Sequence, residues 1–181
     1  MDKEYLEMKK MTYSQLVNYL QTKYGVPQGS YWLTPSCRTK NNKIMRGKEG
    51  LYCHHVREDL SNCLCNSSLA VTVPFEWHQD NNLVYCNFLE HSLLHLKIAE
   101  WIDKEKPSNY SPTSGLGYFG NISAFTSDML KGHKFSMPFY ALVQKQMKPY
   151  REEIIEVFKE AGNYKYDGHY IDWYGMLGLK D

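Results

Sequence analysis

From Phe88 to Ile102 the chain runs without a glycine or a proline. Leu89, Leu93, Leu94, Leu96, Ile98, Ala99 and Ile102 put apolar side chains all round the helix that such a run predicts. A helix that is apolar on every side is a buried one. Its start is marked too: Asn87 can cap the first turn, and Glu90, three residues on, can complete a capping box. Yet this buried helix carries His91 and His95. Positions i and i+4 lie one above the other on the same face, so two imidazoles so spaced can share one metal ion. An unpartnered polar group in the interior costs on the order of 1–3 kcal/mol, so the pair needs partners from elsewhere in the chain.

Upstream, Gly50-Leu51-Tyr52-Cys53-His54-His55-Val56 is aromatic and apolar and follows a glycine, and it reads as a strand. Successive side chains of a strand point to opposite faces, so His54 and His55 cannot do the same job in the same place. One can join the helical pair as a third metal ligand, which leaves the other free to act as a base. Asn81-Asn82-Leu83-Val84-Tyr85-Cys86 reads as a turn into a second strand, giving the order strand, loop, strand, helix.

This arrangement resembles the HNH, or ββα-metal, nuclease motif, in the His-rich form found in the nuclease domains of DNase colicins. The resemblance covers residues 49–102. It implies that His54 is a metal ligand and His55 the general base, that Asn82 is the central asparagine that pins the loop geometry, and that His91 and His95 are the two helical ligands. The interval of nine from Asn82 to His91 and of four from His91 to His95 both match the pattern. The implied cofactor is one divalent ion, Zn2+, Ni2+, Mn2+ or Mg2+. Three neutral imidazoles favour zinc, nickel, cobalt or manganese over magnesium, which prefers oxygen ligands. The implied substrate is nucleic acid, DNA ahead of RNA. This sequence departs from the pattern in two places. Twenty-six residues separate His55 from Asn82, and Arg57-Glu58-Asp59 stands where a small residue and a proline often follow the histidine pair. The stretch is also similar to small phage- or plasmid-borne proteins of Gram-positive bacteria, which implies a bacterial host cytoplasm.

The expected fold class is α+β: a ββα-metal core at 49–102, an N-terminal helical and basic segment at 1–48 and a C-terminal helical and aromatic extension at 103–181, all in one domain of 181 residues. Residues 2–24 read as an amphipathic helix with a break near Met11-Thr12, ended by Gly25-Val26-Pro27. The net charge is +1, so no global field draws the protein onto nucleic acid, and phosphate contacts must come from a local patch. Residues 37–48 offer one: Arg38, Lys40, Lys43, Arg46 and Lys48 stand there with no acid among them. They can clamp phosphates beside the scissile bond, or form a solvated basic loop. Glu58 and Asp59 can orient a ligand imidazole or stand as plain loop carboxylates. In the same insertion, Trp77 can stack on a base or cover the core edge, and His78 reaches the metal only by a coincidence of loop path.

Five cysteines, an odd count, with no signal-peptide pattern and no apolar run of membrane length, read as reduced thiols in a cytoplasm. Cys53 and Cys86 read as small packed hydrophobes, while Cys37, Cys63 and Cys65 leave open a second, structural zinc. Residues 106–115 read as a Pro/Ser/Gly-rich loop, 116–131 have no clear assignment, 137–162 read as one or two helices broken or started at Pro149, and the tyrosine-rich tail from Asn163 reads as a hairpin or an irregular cover. Two other functions fit the same sequence. One is a phage or mobile-element protein that keeps the nuclease fold and works by binding a host defence protein. The other is a zinc-stapled module in which a cysteine such as Cys53 closes the metal site.

Overall fold

Residues 1–105, 111 and 113–179 are described in the computed structural model of the chain. In chain order the helices and strands are α1 (Lys3–Lys10), α2 (Tyr13–Tyr24), β1 (Tyr52–His55), α3 (Ser67–Ala70), β2 (Leu83–Cys86), α4 (Phe88–Glu105), α5 (Gly117–Leu130), α6 (Pro138–Met147), α7 (Arg151–Ala161), β3 (Lys165–Tyr166) and β4 (His169–Tyr170). The fold is α+β, with two small antiparallel sheets, β1–β2 and β3–β4.

The buried helix expected between Phe88 and Ile102 is α4, three residues longer at its C-terminal end. Its start is the capping box: Asn87 Oδ1 accepts from the Glu90 amide at 2.9 Å, and Glu90 Oε2 accepts from the Asn87 amide at 2.7 Å. The other carboxylate oxygen of Glu90 takes Lys23 Nζ at 2.8 Å and the Tyr24 hydroxyl at 3.0 Å, so this buried acid is fully partnered. The break at Met11-Thr12 divides α1 from α2, and a second capping box, Thr12 with Gln15, starts α2. Tyr5 and Met8 of α1 face inward while Leu6 is exposed.

Helix α4 is the axle of the core. It packs against α2, α5, α6, α7 and the β1–β2 hairpin. Leu16, Leu20, Val84, Phe88, Leu93, Leu94, Phe119, Val157 and Phe158 are among the buried side chains of that cluster. A second, smaller cluster of Tyr31, Trp32, Cys37, Ile44, Ala70 and Leu83 lies on the other face of the hairpin. The hairpin divides its side chains between the two by strand alternation: Val84 and Cys86 join the main core, Leu83 the smaller cluster.

Residues 116–131, unassigned in the sequence, contain α5. Phe119, Thr126 and Met129 are buried along it at helical spacing. Glycines at 117 and 120 lower the local helix propensity and obscure that pattern. Residues 137–162 are two helices, α6 and α7, joined by a 3-10 turn over Lys148–Tyr150 that contains Pro149. The tail hairpin is β3–β4. The Pro/Ser/Gly-rich stretch lies largely outside the described residues, but Gly115 is described and constrains the fold. Its φ is +77°, and a Cβ there would sit 2.5 Å from the His95 carbonyl oxygen. The turn into α5 therefore lies directly on the backbone of α4. Among the described residues no helix is long and apolar enough to cross a membrane.

Candidate metal centre

The strand register decides where each histidine of the pair goes. In β1–β2, His54 is paired with Val84 and His55 with Leu83. Directly opposed residues project to the same side of a sheet. His54 therefore faces α4 and the main core, and His55 the smaller cluster. His54, His91 and His95 converge: one ring nitrogen from each lies within 4.8 Å of the others, the only such group of three or more His, Cys, Asp or Glu among the described residues.

The spacing fits an ion. The Nε2 atoms of His91 and His95 are 3.2 Å apart. Two imidazoles on one tetrahedral ion, with bonds of about 2.0–2.1 Å, have their nitrogens roughly 3.3–3.4 Å apart. The third ring is aimed by Tyr13 of α2. Its hydroxyl donates to the Val56 carbonyl at 2.7 Å and lies 3.1 Å from His54 Nε2. A hydroxyl has one proton, and that proton is committed to Val56, so His54 Nε2 is the donor. The lone pair of His54 is then on Nδ1, a buried atom without a hydrogen-bond partner. Such an orphaned nitrogen is a cost unless an acceptor of its lone pair is bound.

Aromatic rings and a carboxylate complete the wall. Tyr118 of α5 stacks on His95, centroids 4.1 Å apart and planes 4° from parallel, and Tyr52 packs on His91 at 5.1 Å. Glu58, in the 3-10 turn Val56–Asp59 that follows β1, is buried, with Oε2 3.5 Å from His95 Nε2 and 3.7 Å from His54 Nδ1. Burial pushes its carboxyl up to about 7, against the opposing pull of the Leu64 amide that it accepts. Burial also pushes His91 down to about 3 and holds His54 and His95 well below the ordinary histidine range; the neighbouring imidazoles add to the last two effects. Every group in the cluster thus resists charge in the absence of a counter-ion, and three neutral imidazoles beside a carboxylate are a donor set for a borderline divalent ion such as zinc. A cavity of about 110 Å3 borders His54, His55, His91, His95 and Glu58 and reaches Cys65, which is exposed. A larger cavity, about 520 Å3, is lined by Met129, Leu130, Met147 and Arg151 and by none of the histidines.

His55 is 1 % exposed and packs against Tyr31 and His78, with centroids 4.4 and 5.1 Å away. Burial, with help from His78 and Lys40, pushes it down to about 3, and its Nε2 is buried without a partner. The side chain of Asn82 holds the Glu76 carbonyl at 2.8 Å and Asn81 Oδ1 at 3.3 Å. It thereby braces the turn Phe75–His78, whose His78 abuts His55. His78 itself donates to the Ala70 carbonyl at 3.0 Å and is not part of the three-histidine group. Asp59 lies 3.9 Å from Arg57, and Arg57 covers Trp77. Cys53 shares the face of His55 and packs on the smaller cluster, and Cys37, Cys63 and Cys65 do not form a group with ligand spacing among the described residues.

The basic segment divides. Arg46 is held by Glu49 and the Tyr24 carbonyl and covers Tyr85, and Lys40 lies over Tyr31 and Trp32. Arg38, Lys43 and Lys48 are exposed and make no ion pair among the described residues. Sequence reasoning missed Tyr13 and Tyr118 altogether. Tyr13 reaches His54 across 41 residues of chain, a separation that carries no periodic signal. Tyr118 stands between two glycines in the stretch without an assignment. Comparison of the chain with family models, with curated proteins and with solved structures finds no match.

Proposed function

We propose that the protein is a metal-dependent endonuclease of the HNH, or ββα-metal, type, hydrolysing phosphodiester bonds of nucleic acid, DNA ahead of RNA. The observation that carries this reading is the meeting of His54 from β1 with His91 and His95 from α4 around a space the size of one ion. The order β1, β2, α4 agrees with the resemblance carried by residues 49–102. A divalent ion bound there supplies polarisation of the phosphoryl oxygen and stabilises the departing 3′ oxygen. His54, His91 and His95 hold it as neutral donors, and Tyr13 fixes the tautomer that lets His54 do so.

His55 is the base that takes the proton from the attacking water. Its free Nε2 and its place on the cavity border support that role. Asn82 supports it through the turn that seats His78 against it. The His55→Ala variant is expected to lose about 100-fold or more in metal-dependent plasmid nicking while still binding one ion. Nicking equal to wild type would remove His55 from the chemistry. A second reading keeps the ion and drops the cleavage. The deep burial of His55 favours it, since a base packed between Tyr31 and His78 has little room to meet a phosphodiester. No nicking by a wild-type protein that has bound its ion would select that reading.

The phosphate-clamp role falls to Arg38, Lys43 and Lys48, the basic side chains of residues 37–48 that make no ion pair or ring contact among the described residues. Replacing all three with glutamine is expected to weaken DNA binding and to flatten its salt dependence, by about 0.9 log units per log unit of salt for each phosphate that is no longer neutralised. A salt slope unchanged from wild type returns the segment to a solvated loop.

A further inference from the structure

We propose that Glu58 is the fourth protein ligand of the ion, through Oε2, so that the centre is a cage of three imidazoles and one carboxylate. The proposal rests on the metal reading of the histidine cluster and not on nuclease activity. The two carboxylate oxygens are already divided between tasks. Oε1 accepts from the Leu64 amide at 3.0 Å, which anchors the side chain. Oε2 is turned to the imidazoles, 3.5 Å from His95 Nε2 and 3.7 Å from His54 Nδ1. With 3.2 Å between His91 and His95, these are three of the six edges of a four-cornered cage. A tetrahedral ion with nitrogen and oxygen donors at about 2.0–2.2 Å requires edges of roughly 3.3–3.6 Å, and these three lie within a few tenths of an ångström of that range. Glu58 does not yet stand within 4.8 Å of all three histidine nitrogens, so closing the cage draws Oε2 further in toward His91.

The local chain explains the placement. Strand β1 gives way to the 3-10 turn Val56–Asp59 immediately after His55, and the turn folds position 58 back beneath position 54. A carboxylate buried this deeply, with no lysine or arginine paired to it among the described residues, is costly. A divalent cation at the focus of its free oxygen removes that cost, and the carboxylate in turn lowers the charge that the buried centre must carry from two to one. If the protein cleaves nucleic acid, Glu58 also governs how a phosphate oxygen enters: by expansion of the coordination shell, or by displacement of Oε2.

The test uses the full chain, stripped of metal with a chelator and titrated with Co2+. Wild type should take up one equivalent and give the intense visible bands of a four-coordinate ion. Glu58→Gln keeps an oxygen for the Leu64 amide, so it should unfold in chelator at a temperature no lower than wild type. It should nonetheless bind Co2+ more weakly by about 100-fold or more, beyond the range for a group that only orients ligands, with weaker, shifted bands as water takes the vacated position. A measurement that needs no variant is 13C NMR of wild type labelled at glutamate carboxyls, in which Zn2+ should move one buried resonance. Wild-type affinity and spectrum in Glu58→Gln, or no carboxyl resonance moved by Zn2+, would overturn the assignment of Glu58. Failure of wild type to bind either ion would overturn the metal centre itself, a result distinct from the first.

Discussion

Alanine in place of His91 or His95 is expected to abolish ion binding, and nicking with it, while leaving most of the helix content intact. Both residues sit on α4, whose packing comes from leucines and Phe88 and whose start comes from Asn87 and Glu90. The helix does not need the imidazoles in order to form; the ion needs both of them. Removing groups that merely orient metal ligands costs roughly 10–100-fold in affinity, so removing one of three histidine ligands should exceed that range. Zn2+ content after dialysis at low free metal, read beside far-ultraviolet circular dichroism, gives both halves of the result. One equivalent of tightly held ion in either variant would mean that the 3.2 Å approach of the two Nε2 atoms is a plain hydrogen bond between histidines. Paired with His55→Ala, which should keep the ion, these variants separate holding the metal from using it.

The second large effect concerns a residue with no side chain. Gly115→Ala is expected to destabilise the protein by about 2–6 kcal/mol, the sum of a non-glycine residue at positive φ and an overpacked neighbourhood. The added methyl would stand 2.5 Å from the His95 carbonyl oxygen, 2.9 Å from the Ala99 amide nitrogen and 3.2 Å from Ile98 Cβ. All three belong to the central turns of α4, where no flexible side-chain end is available to move aside. Against a total stability of roughly 5–15 kcal/mol, such a loss is a large fraction of the whole. Chemical denaturation should register it as a lower midpoint with an unchanged slope. A shift worth less than about 1 kcal/mol would mean that the turn before α5 can lift off α4 without consequence. The same lift would carry Tyr118 away from His95, so ion affinity in this variant should fall as well.

How much of this was legible in the chain depended on whether the cause was local. The two capping boxes, Thr12 with Gln15 and Asn87 with Glu90, are three-residue signals and mark the starts of α2 and α4. The i, i+4 histidines follow from helix geometry, and the separation of His54 from His55 follows from strand pleating. What sequence could not supply is the identity of the residues that meet across the core. Glu58 and Asp59 read alike in the sequence, each able to orient a ligand imidazole or to stand as a plain loop carboxylate, until the turn after β1 is seen to fold Glu58 inward. The basic segment looked uniform because the window from 37 to 48 contains no acid, but Glu49 stands one residue beyond it and takes Arg46. Helix α5 was hidden by its glycines, and with it the ring that stacks on His95.

The hairpin that carries His54 also guards against a particular error. Because side chains alternate, sliding β1 past β2 by a single residue would exchange the two adjacent imidazoles: His55 would swing toward α4, and His54 would be stranded beside Trp32 and Ile44. The unlike linings on the two sides of this four-residue ribbon, a large hydrophobic interior on one and a small aromatic pocket on the other, penalise that slip. The choice between adjacent, chemically identical rings is thus enforced by shape, at a distance from any chemistry they perform.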